Sequence, residues 1–308
     1  MAHDIVILGV FVADTAYRAG RQPRMGETIL GESFALGPGG KGSNQAVAAA
    51  RAGGDVGFLT KLGQDTFADM ALATWEEAGV TSLATRHAES YTGAAYIFVE
   101  AETGNNAIII APGIAGTIAP ADVERQAEAI AGAKVFVTQL EQPLDAAQRA
   151  LQIAREGGAR TILNPAPAAA LPEGMLALCD YVTPNETEAE GLTGLAVASV
   201  EDAIRAAEAL RAMGAGTAIV TLGENGALYH DGTTVLHVPG MRAGPVVETT
   251  GAGDAFNGGL AVALAEGMGP EEAVRFANAT AAISVTRAGT APSMPARAEI
   301  DALRARGG

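Results

Sequence analysis

Short runs rich in valine, isoleucine and threonine alternate along this chain with alanine-rich segments of helical spacing. The strand-like runs are IVILGV, VGFLTKLG, KVFVTQL, RTILNPAP, DYVTPN and TAIVTLG. The helical segments between them are SNQAVAAARAG, TFADMALATWEEAG, PADVERQAEAIAGA, PLDAAQRALQIAREGG and VEDAIRAAEALRAMG. Continuous apolar strands that alternate with helices are typical of a parallel sheet covered on both faces. The pattern therefore predicts an α/β fold with a mainly parallel sheet.

Two stretches, residues 15–38 and residues 91–112, break this alternation. Both contain strand-like runs that no helix follows, and the second predicts a hairpin around AETGNN. We infer a small second sheet that projects from the main one. It can serve as a flap over a cleft or as a structural, dimer-forming sheet, and both roles can hold together.

Composition excludes several classes of protein. The 308 residues carry a net charge of −15 at pH 7, which does not suit binding to nucleic-acid phosphates. Cys179 is the only cysteine, which excludes a disulfide framework and fits a reducing cytosol. The apolar run IVILGVFVA is too short for a membrane span and lacks the flanks of a signal peptide. We therefore expect a cytoplasmic protein with no membrane partner.

The segment GPGGKGSNQ contains the first glycine motif. Gly37, Gly39 and Gly42 fit the pattern G-x-G-x-x-G, but they do not follow the first strand as a dinucleotide fingerprint would. A phosphate-binding P-loop is also excluded, because Lys41 is followed by Gly42 instead of Ser or Thr. What remains is a glycine turn that opens a helix beside Lys41 and Asn44. The spacing leaves open whether it is a plain capped turn or a site for a hydroxyl-rich ligand.

The segment ETTGAGDAFNGG places an acid at the start of a helix. Free N–H groups and the helix dipole attract anions there, and the dipole alone favours Asp254 by about 0.3–1 kcal/mol. The pair Gly258 and Gly259 costs roughly 1 kcal/mol each within a helix, which indicates close packing against another backbone. A carboxylate beside an anion hole is what phosphoryl transfer to an alcohol requires. We interpret Asp254 as a base rather than only as a dipole-favoured residue.

Two further segments have both a structural and a functional interpretation. In TPNETEAEGLTG, the spacing of Asn185 and Glu188 favours a helix-capping arrangement, although the acids also suit an outer-shell Mg²⁺ site. In IVTLGENGALYHDG, the backbone from Thr221 to Gly226 can face a nucleotide or form a plain turn. The four histidines have no partner motif, which argues against Ser–His hydrolysis.

Taken in this order, the segments resemble the ribokinase family of carbohydrate kinases, the PfkB type. GGKGSNQAVAAARAG is similar to the first family signature and ETTGAGDAFNGG to the second, while QLEQPL, NPAPA, TPNETEAEGLTG and VTRAGTAPSMP add further matches. The resemblance covers essentially the whole chain, and GGKG with NPAPA places it in the ribokinase branch. It implies one ribokinase-like, doubly wound α/β domain over 1–308, with helices on both sheet faces and a β-lid formed by about 15–38 and 91–112.

The resemblance also implies an activity: ATP-dependent phosphorylation of the primary hydroxyl of a pentose, with Mg²⁺ and an activating K⁺. Asp254 would be the catalytic base. The expected sugar-contacting residues are Asp14, Gly40, Lys41, Asn44, Glu141 and Asp254. The expected nucleotide-binding residues are Asn185, Glu188, Thr221, Leu222, Gly223, Glu224, Asn225, Gly226, Gly251, Ala252, Gly253 and Asn278. The expected monovalent-cation residues are Glu248, Thr250, Ser284, Arg287, Gly289 and Ser293. A homodimer formed through the lid is also expected.

Two positions depart from the family pattern. Val12 stands where an Asn usually lies two residues before the sugar-binding Asp14, so one hydroxyl contact is lost. Ribose is the leading substrate. Glu248 stands where an Asp is usual, and its extra methylene can move a cation ligand. Deoxyribose, a ketohexose or a nucleoside are alternative acceptors. A non-catalytic sugar sensor and a dinucleotide-dependent dehydrogenase are the hypotheses from other classes.

Overall fold

The structure, a computed structural model, describes residues 3–306. Positions 1, 2, 307 and 308 of the predicted domain lie outside the described residues. The strands are β1 (Ile5–Leu8), β2 (Val12–Ala19), β3 (Ser33–Gly39), β4 (Val56–Leu59), β5 (Lys61–Leu62), β6 (Thr81–Ser82), β7 (Thr85–Arg86), β8 (Thr92–Glu100), β9 (Asn106–Gly113), β10 (Val135–Thr138), β11 (Arg160–Leu163), β12 (Tyr181–Val182), β13 (Thr217–Thr221), β14 (Ala227–His230) and β15 (Val235–Val238).

The α-helices lie mostly between strands of the main sheet. They are α1 (Lys41–Arg51), α2 (Thr66–Ala78), α3 (Pro120–Glu124), α4 (Ala127–Ala131), α5 (Leu144–Gly157), α6 (Glu186–Thr193), α7 (Val200–Ala212), α8 (Ala252–Ala265), α9 (Pro270–Ser284) and α10 (Arg297–Ala305). Short 3₁₀ helices span Ile114–Thr117, Leu176–Leu178, Gly223–Asn225 and Ala291–Ser293. No helix in the described part of the chain combines the length and apolar composition that a membrane span needs.

The main sheet has the strand order β15-β14-β13-β12-β11-β10-β1-β4-β6. Pairing is parallel from β6 through β13, and β14 and β15 add an antiparallel edge. In β1, Ile5 and Ile7 pack into one buried apolar layer, while Val6 and Leu8 pack into the layer on the other face. Because both faces are buried, these strands read as continuous apolar runs. The predicted sheet with helices on both faces is confirmed.

A second, separate sheet has the strand order β3-β2-β8-β9. Strand β2 pairs antiparallel with β3 and parallel with β8, and β8 and β9 form the hairpin expected around AETGNN. The small second sheet that the sequence predicted is confirmed; we call it the lid, although its covering of a site stays a prediction. Its strands extend beyond the predicted limits of 15–38 and 91–112, since β2 begins at Val12 and β3 ends at Gly39. Asp14 therefore lies within a lid strand.

One predicted helix is wrong in detail. The segment PADVERQAEAIAGA forms two short helices, α3 and α4, instead of one. The interruption falls at Gln126, whose φ of −110° and ψ of 14° lie outside helical values. Both short helices pack against α5, and each contributes one residue, Val123 or Ile130, to the same buried apolar layer.

Helix α8 is held closely between two other helices. A Cβ atom at Gly258 would lie 2.6 Å from the Cβ of Ala48 and 2.8 Å from the backbone nitrogen of Ala49 in α1. A Cβ atom at Gly259 would lie 2.6 Å from the Oγ1 of Thr280 in α9. The close backbone packing predicted from the glycine pair is confirmed. It brings the first turns of α1 and α8 together, which places their polar side chains at one site.

Candidate active site

The first turn of α8 is the centre of the site. Its N-cap, Gly251, has φ 83° and ψ −1°, a left-handed conformation that favours glycine. A Cβ atom at Gly253 would meet no heavy atom within 4 Å, so the space above the turn is open. A turn of this kind at a helix N-terminus presents backbone N–H groups to an anion. Asp254 follows directly and is 7% exposed.

Two side-chain amides from α1 hold the carboxylate of Asp254. Asn44 Nδ2 donates to Oδ2 at 3.0 Å, and Gln45 Nε2 donates to Oδ1 at 3.0 Å. Burial raises the pKa of Asp254, while the charge of Lys41 and the two amide donors oppose that rise. The two donors and the cation thus support the ionised form, which is the form that accepts a proton.

Two further acids and an unpaired acceptor surround this carboxylate. Glu141 Oε2 accepts a hydrogen bond from the backbone N–H of Lys41 at 2.8 Å, and burial raises the pKa of Glu141 to about 7. The pKa of Asp14 rises to about 6 because of burial and the nearby charges of Asp254 and Glu248. Asn44 Oδ1 is buried and has no hydrogen-bond partner among residues 3–306. This cluster of acceptors suits a ligand rich in hydroxyl donors.

Gly39 and Gly40 allow the lid strand to approach the site closely. A Cβ atom at Gly39 would lie 2.2 Å from Asp14 Oδ2, so a side chain there would displace that carboxylate. Gly40 has φ 89° and ψ 127° and caps the N-terminus of α1. The predicted glycine turn that opens a helix beside Lys41 and Asn44 is confirmed.

Val12 lies on the same face of β2 as Asp14, because side chains two residues apart on a strand share a face. It is 3% exposed and belongs to the buried apolar layer that includes Ala95 and Leu140. A Cβ atom at Gly93 would lie 3.0 Å from Val12 Cγ1. The wall beside Asp14 therefore offers no hydrogen-bonding side chain at this position.

A cavity of about 150 Å³ opens at the first turn of α8. It brings Lys41 and Asp254, which are expected to contact sugar, together with residues expected to contact nucleotide, namely Asn185, Glu188, Thr221, Gly251 and Gly253. Its remaining lining residues are Asn164, Ala166, Thr183 and Asn257. Asp254 thus lies where the two sets meet. A group transferred between two ligands would have to pass through such a place.

Asn185 and Glu188 form the predicted capping arrangement. Asn185 Oδ1 accepts from the backbone N–H of Glu188 at 2.8 Å, and Glu188 Oε2 accepts from the backbone N–H of Asn185 at 2.9 Å. Burial raises the pKa of Glu188. Both side chains also line the cavity, and the second carboxylate oxygen of Glu188 is outside the capping bond. Capping therefore leaves an oxygen that suits the water shell of Mg²⁺.

A larger cavity of about 500 Å³ lies beyond Ala252. Five of the expected nucleotide-binding residues line it: Gly223, Glu224, Gly226, Ala252 and Asn278. The amide of Asn278 donates to the carbonyls of Val238 and Pro239, both at 3.2 Å, which fixes the nearby backbone. Leu222 and Asn225 line neither cavity. The Leu222 side chain is buried in the core, and the Asn225 carbonyl accepts from His237 at 2.8 Å.

The expected cation-binding residues lie in two adjacent segments. Glu248 Oε2 accepts from the backbone N–H of Gly289 at 2.8 Å, which joins the segments. The hydroxyls of Ser284 and Ser293 donate to backbone carbonyls, so their oxygens remain able to accept. The Arg287 guanidinium pairs with Glu299.

Thr250 is exposed beside Gly251. The donor set of these segments, which consists of a carboxylate, hydroxyls and carbonyls, fits a hard cation such as K⁺.

Four buried polar residues were missed by the sequence analysis: Gln45, Asn164, Thr183 and Asn257. Asn164 and Thr183 directly follow β11 and β12. Polar side chains just beyond the carboxyl ends of parallel strands are a signal for a site, because ligands of open α/β sheets bind there. That signal is present in NPAPA and in TPNETE.

The chain is similar to known carbohydrate kinases over nearly its whole length. A family model described as pfkB family carbohydrate kinase matches residues 2–297. A ribokinase of Haemophilus influenzae is 37% identical over 300 residues and 97% of each chain. A deoxyribokinase of Salmonella typhi is 38% identical over 294 residues and 95% of each chain. The structure of Arabidopsis thaliana ribokinase complexed with ribose and ATP matches with a TM-score of 0.88 and 30% identity, over 98% of this chain and 99% of that one. The chain therefore belongs to the pfkB family of carbohydrate kinases.

Proposed function

We propose that this chain is an ATP-dependent kinase that phosphorylates the primary hydroxyl of a pentose, with ribose as the leading substrate and ribose 5-phosphate as the product. One observation carries the proposal. The Asp254 carboxylate, supported in its ionised form, opens onto a cavity between the sugar-contacting and nucleotide-contacting sets. The similarity to ribokinases, one of them complexed with ribose and ATP, supports the same substrates.

In the proposed reaction, Asp254 accepts the proton of the sugar's primary hydroxyl as that oxygen attacks the γ-phosphorus of ATP. The bond to the β-phosphate oxygen breaks and ADP leaves. The N–H groups of the turn from Gly251 to Gly253 stabilise the charge that develops on the phosphoryl oxygens. Asp14, Lys41 and the remaining sugar-contacting residues orient the acceptor hydroxyl.

The phosphates of ATP extend from this turn toward the 500 Å³ cavity, which takes the base and ribose of the nucleotide. Asn185 and Glu188 would hold water molecules of a Mg²⁺ ion, and that ion, when bound, neutralises phosphate charge. Lys41 adds a positive charge within an otherwise acidic site. Together these groups favour the loose, highly charged transition state of phosphoryl transfer.

Replacing Asp254 with Asn tests the proposed base. Asn keeps the size of the side chain and cannot accept the proton, so we expect kcat with ribose to fall by about 100-fold or more. The ATP dissociation constant should change little, since the nucleotide cavity is unaltered. An ATP-coupled assay and calorimetric titration measure the two quantities, and unchanged turnover would contradict the mechanism.

Val12 supports a second candidate substrate, 2-deoxyribose. Its apolar side chain lies beside Asp14 and cannot pair with a sugar hydroxyl. A sugar that places a methylene against Val12 loses no hydrogen bond there, whereas a sugar hydroxyl at the same position is left without a hydrogen-bond partner. The 38% identity to a deoxyribokinase is consistent with this alternative.

We expect Val12→Asn to shift the ratio of kcat/KM values toward ribose over 2-deoxyribose by about two- to tenfold, the effect of one regained hydrogen bond. Val12→Ala is the matched control, because it removes apolar volume without adding a donor, and it should not favour ribose. A sugar screen on the unaltered protein and both variants measures the ratio. Equal ratios in all three would show that Val12 does not face the sugar.

We also propose that K⁺ activates the enzyme by binding near Glu248 and the loop ending at Ser293. The bond from Gly289 to the Glu248 carboxylate holds the two segments together. The first segment leads directly into Gly251, so an ordered cation site would stiffen the anion hole. The same loop is also tied to strand β3, since the Thr290 hydroxyl donates to the carbonyl of Pro38 at 2.8 Å.

Shortening the acid by one methylene in Glu248→Asp should change the K⁺ concentration required for half-maximal activation by several-fold, because the carboxylate moves. Turnover is measured over a K⁺ series, with Na⁺ replacing K⁺ to keep the ionic strength constant. The placement of the cation is wrong if Glu248→Asp alters neither the activation nor the turnover.

We further propose a homodimer formed through the lid. The lid face opposite Asp14 exposes large apolar side chains, among them Tyr17, Phe34, Leu36 and Ile109. The ring centroids of Tyr17 and Phe34 lie 5.0 Å apart, so these side chains form one continuous patch. A patch of this kind marks an interaction surface, and a second copy can cover it about a two-fold axis.

Sedimentation velocity tests the dimer. We expect Phe34→Glu to shift the protein to monomer, because it would place two like charges in the apolar patch. Ser33→Glu adds the same charge at the neighbouring exposed position, on the other face of β3, and should remain dimeric. A monomeric unaltered protein at micromolar concentration would contradict the proposal.

A further inference from the structure

A continuous set of buried hydrogen bonds leads from the base back to the anion hole. We call it the amide network; its members are Gln139, Gln45, Asn164, Thr183 and Asn257. Gln139 Nε2 donates to Gln45 Oε1 at 2.6 Å, and Gln45 Nε2 donates to Asn164 Oδ1 at 3.1 Å. Asn164 Nδ2 donates to the Thr183 carbonyl at 3.1 Å. The Thr183 hydroxyl donates to Asn257 Oδ1 at 2.6 Å, and Asn257 Nδ2 donates to the Gly253 carbonyl at 2.8 Å.

Gln45 is the member that touches Asp254. Its two N–H groups are both donated, one to Asp254 Oδ1 and one to Asn164 Oδ1, and its oxygen accepts from Gln139. Rotating this amide by 180° would place its oxygen against two acceptors and its nitrogen against a donor. The network therefore fixes the one orientation in which Gln45 presents a donor to the base.

The network is expensive to bury, which argues for a role beyond packing. Gln45 and Gln139 are fully enclosed, and the exposure of the other members does not exceed 6%. Buried amides gain little net stability from their hydrogen bonds and cost free energy when a partner is lost. At both ends the network contacts the first turn of α8, at Asp254 and at the Gly253 carbonyl. It therefore ties the base to the turn that would hold the transferred phosphoryl group.

We propose that Gln45 is a positioning residue of the kinase reaction: its amide, oriented by Gln139 and Asn164, holds the Asp254 carboxylate ionised and aimed at the cavity. The inference rests on the proposed function, with Asp254 as the base. It adds a residue that touches neither the sugar nor the nucleotide in the proposed mechanism.

The charges around Asp254 oppose its ionised form, so the hydrogen bond from Gln45 is needed to stabilise it. Lys41 of α1 is the nearby cation, whereas Asp14 of β2, Glu141 after β10 and Glu188 of α6 are acids that oppose another negative charge. Burial also raises the pKa of Asp254, and the bond from Gln45 lowers it. The base works only when ionised. Losing the Gln45 donor raises its pKa further, so activity should be lost at a higher pH.

Three matched Gln→Met variants test the inference by the pH profile of kcat/KM for ribose. The acid limb of this profile is the pH range in which kcat/KM falls as the pH is lowered. In Gln45→Met we expect the acid limb to move up by about one to two pH units, the shift that corresponds to losing a hydrogen bond to a charged group. In Gln139→Met the Gln45 amide loses the partner that orients it, so a smaller shift in the same direction is expected.

Gln142→Met is the control. Gln142 is equally buried and loses hydrogen bonds to Thr138 and to the Gln139 carbonyl, but it does not touch Asp254 or Gln45. We expect a lower melting temperature in this variant with an unmoved acid limb. A shift as large as that in Gln45→Met would overturn the inference, since general loosening would explain both.

The remaining outcomes separate this inference from the proposed function. Failure of the unaltered protein to phosphorylate any sugar overturns the proposed function and this inference with it. Normal turnover of the unaltered protein, with an unmoved acid limb in a folded Gln45→Met, overturns the inference alone. If Gln45→Met does not fold, an unmoved limb in Gln139→Met overturns it in the same way.

Discussion

The carboxylate of Asp254 is enclosed at the first turn of α8, where burial opposes its charge and two amides of α1 support it. Several elements of the fold bring the two amides of α1 into contact with the Asp254 carboxylate. Gly258 lets α8 approach the backbone of α1, and α1 begins at the glycine turn that ends the lid strand β3. The parallel sheet supplies Asn164 and Thr183 from the ends of adjacent strands. A buried charge is tolerated only with such compensation.

In the proposed reaction, the same turn divides the site into two halves. Asp14, on a lid strand, would belong to the sugar half, while the 500 Å³ cavity beyond Ala252 would belong to the nucleotide half. The two departures from the family pattern fall on different sides of this division. Val12 borders the sugar half, whereas Glu248 bonds to Gly289 in the segment that leads into the turn. Changes in specificity and in cation dependence can therefore arise separately on one catalytic centre.

Local patterns predicted the sheet, the lid, the turn before α1 and the position of Asp254, because periodicity and glycine placement are properties of neighbouring residues. In the amide network, only Asn164 and Thr183 have a local signal, their position just after two strands; their partners have none. Gln45 and Asn164 are 119 residues apart, and Gln45 and Asp254 are 209 apart, so only the assembled fold brings them together. The division of one helix into α3 and α4 was also missed; both short helices pack against α5, a contact that their own sequence pattern does not encode. The core position of Leu222 likewise depends on tertiary packing.

In the proposed reaction, Asp254 receives the proton of the acceptor hydroxyl between the two halves of the site. A crystal structure with ribose and a non-hydrolysable ATP analogue tests this role most directly. We expect the primary hydroxyl oxygen within about 2.6–3.2 Å of an Asp254 carboxylate oxygen, with the γ-phosphate above the turn from Gly251 to Gly253. A ribose whose primary hydroxyl faces away from Asp254, with the γ-phosphate elsewhere, would contradict it.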